Sequence, residues 1–345
     1  MATMRAGVFT GRGHIELREL PVPAPGPGQV LVKVLGCGVC GTDYHIFHGE
    51  LTDGVCPPVV LGHEIAARVE RLGPDVTGLV VGQFCAIDPV IGCGGCTPCR
   101  LGRPNLCRQP TVIGYRLNGG FAQYLLAPAS KIVPMSEASG VAGGVLCETL
   151  ACVLNGYSRL GLVAGSSAMV LGAGTVGLLW ASVLAGSPCR PLIVTEPVAM
   201  RRRRAQAIGA THVLDPQAGD LAEAVRRIVP DGVEFIVDAT GEPAAIEQAL
   251  PLLAPGGTFM IFGVCPAGAS VRFDPFELYN KQARVIASKM PPHQLPRSAA
   301  MIDAGLIPCD QIVTATVGLD ELARRVSEFA TGRDANVKIV VDPWA

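Results

Sequence analysis

Thirteen cysteines are spread over the 345 residues, and four of them fall in one short stretch: Cys93, Cys96, Cys99 and Cys107, spaced C-x2-C-x2-C-x7-C. Four thiolates this close can surround Zn(II) tetrahedrally, and the Gly and Pro residues between them let the backbone wrap the ion. No histidine interrupts the set. A closed shell of four cysteines leaves no position for a reactant, so the reading is a structural metal site. Arg100, Arg103 and Arg108 in the same loop offset its negative charge. The rival readings are an iron–sulfur cluster or four cysteines with no common partner.

A second group points to a dinucleotide. Gly172-Ala173-Gly174-Thr175-Val176-Gly177 matches G-x-G-x-x-G, follows the apolar run Ala168 to Leu171 and opens the apolar stretch Val176 to Leu184. That strand–turn–helix setting is the one the motif requires. Gly172 makes the tight turn, Gly174 lets the backbone approach a pyrophosphate, and Gly177 lets helix and strand pack closely. The helix N-terminus favours the phosphates. Glu196 ends the next predicted strand, nineteen residues after Gly177. A carboxylate there bonds a ribose 2′-hydroxyl and repels a 2′-phosphate, which favours NAD over NADP. Arg201 to Arg204 follow at once; they read as a solvated helix start or, in rivalry with Glu196, as a 2′-phosphate clamp. Phe262-Gly263-Val264 follows a further strand and is expected against the nicotinamide.

Three smaller clusters carry metal-binding or proton-moving residue types: Cys37-Gly-Val-Cys40-Gly-Thr42-Asp43-Tyr44-His45, Gly62-His63-Glu64, and Cys147-Glu148-Thr149. Alone, each reads as core more readily than as a ligand set. Their order beside the four-cysteine loop and the glycine motif changes the balance.

These residues must be positioned by two kinds of element. The first half is rich in Gly, Pro and β-branched residues; Val30–Val34 and Ile65–Val69 read as strands bounded by Pro/Gly clusters, giving an antiparallel, barrel-like β domain. Near Leu150 the pattern changes to strands alternating with helices: Leu192–Glu196, Val233–Val237, Thr258–Phe262 and Arg284–Ala287 are strands, and Ala199–Ile208 is a helix. That alternation gives βαβ units and a parallel sheet. Helices at Leu295–Ala304 and Leu319–Phe329 and a strand at Val337–Val341 are expected to complete one of the two domains. The expected division is 1–153 with 290–345 for the β domain and 154–289 for the dinucleotide domain.

Composition narrows the classes. Apolar residues make up 49% and charged residues 17%, and the formal net charge is −1. A large core follows, and nothing points to nucleic acid. The first residues read as a strand and turn with no apolar signal segment, and the apolar runs are short and broken by glycine. The expectation is a cytoplasmic protein with no membrane partner.

The chain resembles the zinc-dependent medium-chain dehydrogenase/reductase (alcohol dehydrogenase) family over essentially its whole length, and within it the polyol (sorbitol and arabinitol-type) dehydrogenases. The resemblance is carried by Cys40-Gly-Thr-Asp43, Pro58-Val-Val-Leu-Gly-His-Glu64, the four-cysteine loop with Gly102-Arg-Pro-Asn-Leu-Cys107, Gly119-Gly-Phe-Ala122 and Pro275-Phe-Glu-Leu-Tyr279. It implies a GroES-like β-barrel catalytic domain and a Rossmann doubly wound domain, with one catalytic and one structural zinc. By resemblance, Cys40 and His63 bind the catalytic zinc, and the third ligand falls on Glu148, with Cys147 as rival. Glu64 would bind directly or swing in during exchange. Thr149 stands where the family usually has Pro. Thr42 would relay the alcohol proton and His45 release it, Asp43 would orient His63, and Arg201 would lie near the adenosine. Tyr44 and Phe47 are pocket or core. His14, His48, His212 and His293 are surface or loop residues.

Three protein ligands leave a zinc position open to an alcohol, whose hydroxyl the metal acidifies. Cys40 and Glu148 balance the ion's charge. The expected activity is NAD-linked oxidation of a secondary alcohol, polyol or sugar-like, to the ketone, in a homotetramer or homodimer. Two alternatives stand beside it: oxidation of a hydroxy amino acid, as in threonine dehydrogenases of the family, and a non-catalytic, zinc-stabilised NAD(H)-binding protein.

Overall fold

The computed structural model describes residues 2–329 and 336–345. They form two units. The first gathers the described residues of Met1–Ala151, Pro291–Gly305 and Val313–Ala345; the second is Cys152–Met290 with Leu306–Ile312. The last of these segments departs from the expected boundary. It joins the second unit because Arg204 donates to the Gln311 carbonyl at 2.9 Å and Ile312 is fully buried.

The strand Gln29–Gly38 is the axis of the first unit. Its valines alternate inward with full burial at Val30, Val32 and Val34, the period-2 pattern of a packed strand. It pairs antiparallel with Glu64–Leu72, with Tyr124–Pro128 and, at its far end, with Lys338–Asp342. The last pairing sets Val340 opposite Gly38 and Val341 opposite Cys37. A strand from the end of the sequence thus lies beside the segment that leads into Cys40. Pairing in this seven-stranded sheet is antiparallel except between Val313–Gly318 and Lys338–Asp342. Val32, Ile65, Val69, Phe121, Leu125 and Val341 share its core.

The second unit is a six-stranded parallel sheet in the order His212–Leu214, Leu192–Thr195, Ala168–Leu171, Val233–Asp238, Leu253–Ile261, Arg284–Ala287. The residues of Ala168–Leu171 and Leu192–Thr195 are all buried. Continuous apolar strands are what a sheet covered on both faces demands. Strand order reverses at Ala168–Leu171, and a crevice for ligands opens at the carboxyl ends of strands where that happens. Gly172 is the first residue beyond that strand.

The helix Gly140–Leu160 is long and apolar enough to cross a membrane by length and composition. Its apolarity serves the core instead: Val145, Leu146, Cys147, Leu150, Ala151 and Val153 are fully buried.

Candidate functional site

The sulfurs of Cys93, Cys96, Cys99 and Cys107 lie within 4.8 Å of one another. A short helix, Thr97–Arg100, turns the chain between the second and third of them, and Gly94 takes a left-handed φ of 71°, which glycine adopts without steric cost. Backbone amides point at the sulfurs: Cys93 N to Cys107 Sγ at 3.3 Å, Cys96 N to Cys93 Sγ at 3.4 Å and Gln109 N to Cys107 Sγ at 3.4 Å. The amides of Arg108 and Cys99 draw the Cys96 thiol down to about 6, while burial pushes Cys99 up to about 12. The four sulfurs share protons unequally, and a divalent cation would let all four ionise together. None of the thirteen cysteines is in a disulfide. The donor set fits zinc.

The second group whose atoms could hold a metal ion is assembled from two segments of the first unit. Cys40 caps the short helix Gly41–Phe47, and Asp43 closes that cap by accepting from the Cys40 amide at 3.0 Å. His63 follows Gly62, whose φ of 90° turns the chain into the strand Glu64–Leu72. The ligand atoms of Cys40, His63 and Glu64 lie within 4.8 Å of one another. Burial opposes charge on His63, yet the Cys40 thiolate, then Asp43 and Glu148, overcome it and lift His63 to about 10. Such a place attracts positive charge, which is the electrostatic demand of a cation site. The donors and the field fit zinc.

Asp43 and His63 face each other less closely than expected. His63 Nδ1 and Asp43 Oδ1 are 3.8 Å apart, and neither has a hydrogen-bond partner among the described residues. The separation is an ion-pair distance rather than a hydrogen bond, because the other Asp43 oxygen is already committed to the cap. Burial pushes the Asp43 carboxyl up to about 6.

Glu148 and Cys147 sit on the helix Gly140–Leu160. The Cys147 thiol donates to the Leu295 carbonyl at 3.8 Å. Glu148 is buried and close enough to act on His63 and on Tyr115, although its carboxylate is outside the tight Cys40–His63–Glu64 set. Thr149, the next residue, donates to Glu64 Oε1 at 2.6 Å, and the Lys338 ammonium holds Glu64 Oε2.

The Thr42 hydroxyl is 3.8 Å from Cys40 Sγ. His45, on the same helix, bonds Glu50 through Nδ1 at 2.6 Å and is partly exposed. Tyr44 packs against His45 and His48, Phe47 belongs to the core, and His48, in the turn that ends the helix, is half-buried with its Nε2 covered. Three residues of this neighbourhood escaped the sequence reading. Tyr115 stacks edge-on to His63 at 5.4 Å and lies within hydrogen-bonding reach of Thr42; burial, then the Cys40 charge, push its hydroxyl well above the usual tyrosine range. Lys338 and Glu50 are the others. None belongs to a local motif, so no signal short of strand pairing could have found Lys338.

In the second unit the glycine motif has the shape a pyrophosphate needs. Gly172 has φ 91°. A Cβ on Gly177 would stand 2.0 Å from the Gly172 carbonyl oxygen, whereas a Cβ on Gly174 would point into open space. Thr175 and Val176 open the helix Thr175–Ala185. Glu196 is buried and accepts from the Ala173 amide at 2.8 Å and the Val198 amide at 2.9 Å, so its carboxylate is fixed beside the turn. The arginines that follow have partners of their own, and Arg203 donates to the Met200 sulfur at 2.7 Å. Arg202 pairs with Asp215 at 2.9 Å and donates to the Glu196 carbonyl, and Arg204 donates to Gln311. Arg201 begins the same helix, Ala199–Ile208. Gly263 is pressed against Gly241, where a Cβ would come within 2.1 Å of the Gly241 nitrogen, and Val264 is exposed.

Both units are similar to known proteins. Residues 26–137 match the family model described as alcohol dehydrogenase GroES-like domain, and residues 174–304 the model described as zinc-binding dehydrogenase. An L-threonine 3-dehydrogenase of Pyrococcus horikoshii is 35% identical over 262 residues, 75% of each chain. A D-altritol 5-dehydrogenase of Agrobacterium fabrum is 32% identical over 328 residues, 92% of this chain and 94% of that one. A solved structure described as a zinc-binding dehydrogenase from Sinorhizobium meliloti 1021 bound to NADP is 36% identical with a TM-score of 0.96, covering 99% of this chain and 100% of that chain.

Proposed function

The chain belongs to the zinc-dependent, medium-chain alcohol dehydrogenase family, and on that premise we propose that it oxidises a secondary alcohol of polyol or sugar-like type to the ketone with NAD. It is an alcohol oxidoreductase using zinc and NAD(P), built from a GroES-like and a Rossmann domain. The observation that carries the catalytic reading is the convergence of Cys40, His63 and Glu64 within 4.8 Å, with the hydroxyls of Thr42 and Tyr115 beside Cys40.

In this reading Cys40, His63 and Glu148 hold the catalytic zinc, Glu64 stands close by, and Cys93, Cys96, Cys99 and Cys107 hold the structural one. When bound, zinc supplies Lewis acidity toward an alcohol hydroxyl and NAD supplies the hydride acceptor. Thr42 relays the hydroxyl proton, its oxygen accepting it as its own hydroxyl proton is passed on. His45, partly exposed and bonded to Glu50, delivers it to water. Tyr115 offers a second, un-ionised hydroxyl to the substrate, a donor suited to a neighbouring carbinol group. Gly172, Gly174, Thr175, Val176 and Gly177 receive the pyrophosphate, Glu196 the adenosine ribose, Arg201 the adenine side, and Gly263 and Val264 the nicotinamide. Glu196 supports NAD because its buried carboxylate is pinned by two amides and would repel a 2′-phosphate.

The polyol class is favoured by the D-altritol relative, which covers 92% of this chain. A hydroxy amino acid is the second reading, favoured by the 35% identity to a threonine dehydrogenase. Reduced-nicotinamide absorbance with polyols, simple alcohols and threonine, each with NAD and NADP, separates them. Turnover of a polyol with NAD supports the reading; turnover confined to threonine replaces it.

We further propose a homodimer or homotetramer in the cytoplasm. The strand Arg284–Ala287 is the edge of its sheet, its Val285 is 44% exposed, and Phe276 and Tyr279 are exposed nearby. An apolar cavity of about 310 Å³ lined by Ile261, Phe273, Leu278 and Val285 adjoins it. A second copy of this chain would cover such an edge. Thirteen cysteines with no disulfide among them suit a reducing compartment.

A further inference from the structure

Glu64 is fully buried, and both of its carboxylate oxygens are engaged. The Lys338 ammonium holds Oε2, and the Thr149 hydroxyl donates to Oε1 at 2.6 Å. Lys338, itself 2% exposed, also donates to the Val39 carbonyl at 3.0 Å. Gly38 makes the room, since a Cβ there would stand 2.2 Å from Glu64 Oε2. The carboxylate therefore sits in a built cradle. It nevertheless keeps an oxygen within 4.8 Å of the Cys40 and His63 ligand atoms.

We propose that Thr149 is a positioning residue that holds Glu64 off the metal. The inference rests on the reading of Cys40, His63 and Glu148 as ligands. Under it, Cys40 and Glu148 balance a divalent cation, and Glu64 and Lys338 balance each other. Full transfer of Glu64 to the metal would leave Lys338 as an unpaired buried cation, which is strongly unfavourable. Oε2 therefore stays on Lys338, and only Oε1 is free to choose. Its two options are the Thr149 hydroxyl and the metal. A single neutral donor thus sets how often the carboxylate takes the position an alcohol needs. Among the described residues, the Thr149 hydroxyl is the side-chain donor that meets that oxygen.

The test uses the full chain loaded with Co(II) in place of zinc. Visible d–d bands report the ligand set, and the difference from Cys40→Ser cancels the contribution of the four-cysteine loop. Thr149→Val keeps the shape and removes the donor, Thr149→Ser keeps the donor, and Thr149→Ala is the second donor-free variant should Thr149→Val fold poorly by near-UV circular dichroism. The donor-free variants are expected to show altered d–d bands and to bind imidazole at the cobalt about tenfold more weakly, since a hydrogen bond to a charged group is typically worth that much or more. Thr149→Ser is expected to match the wild type. Wild-type bands and wild-type imidazole affinity in a folded donor-free variant would overturn the proposal. Absence of any Cys40-dependent band in the wild type would instead overturn the ligand reading beneath it.

Discussion

Lys338 places its ammonium on the Glu64 carboxylate, 274 residues earlier in the chain, with both side chains almost wholly out of water. The Coulombic attraction offsets the desolvation of two ions only while both are present. Removing one partner leaves the other charged and buried. Lys338→Met is therefore expected to cost about 3–5 kcal/mol of stability, read as a lower urea midpoint. Adding Glu64→Gln to it should restore much of the loss, because the stranded charge is gone. A single variant as stable as the wild type would mean that the pair carries no structural role.

That pair also marks where the sequence stops being readable. The four cysteines were legible because their spacing alone brings the sulfurs together, and the glycine motif because strand, turn and helix are consecutive. Lys338 sits in an apolar strand near the end of the chain. Only the pairing of Lys338–Asp342 with Gln29–Gly38 carries it to Glu64. Tyr115 likewise reaches His63 through a loop of no recognisable motif. Thr149 could be singled out by residue type, but its bond to Glu64 depends on how the helix Gly140–Leu160 packs. The segment Leu306–Ile312 lies with the second unit through a contact, Arg204 to Gln311, that spans 107 residues and that no local pattern announces.

Cys96→Ser tests the four-cysteine loop. The Cys96 sulfur accepts from the Arg108 and Cys99 amides and lies 3.8 Å from Cys107 Sγ. A serine there is a poor zinc donor, and a closed structural site depends on all four ligands. Metal analysis should find about one zinc per chain in place of about two. The loop should become sensitive to protease and the melting temperature should fall. Unchanged zinc content would remove the structural site from the reading.

Glu196 governs the choice of coenzyme in the proposed function. Its carboxylate is fixed by the Ala173 and Val198 amides. Glu196→Ser should lower kcat/KM for NAD by roughly 10- to 100-fold, the worth of hydrogen bonds to a charged acceptor. The value for NADP should hold or rise as repulsion is removed. Equal losses with both coenzymes would show that Glu196 supports only the turn.

Tyr115→Phe separates packing from hydrogen bonding. The ring contact with His63 is kept and the hydroxyl beside Thr42 is lost. If that hydroxyl meets the substrate, kcat/KM for a polyol should fall about tenfold, with little change in melting temperature. A simple monohydric alcohol has no second carbinol to present, so its kcat/KM should change less. Equal effects on both substrates would place the hydroxyl on the reacting centre instead.

Val285→Arg probes the open edge of the parallel sheet. The strand Arg284–Ala287 pairs on one side with Leu253–Ile261, and its other side presents backbone donors and acceptors with Val285 44% exposed. An edge of this kind invites pairing with another strand. The apolar side chains around it, Phe273 at 56% exposed and Phe276 at 69%, would gain from being covered. In a symmetric pair each copy meets the same patch of the other, so one substitution places two like charges at the contact. Val285→Arg should therefore shift the mass measured by light scattering toward the monomer. It should leave the fold of each unit intact, because the residue is outside both cores. An unchanged assembly mass would mean that the copies meet elsewhere, and a monomeric wild type would remove the need for an interface at all.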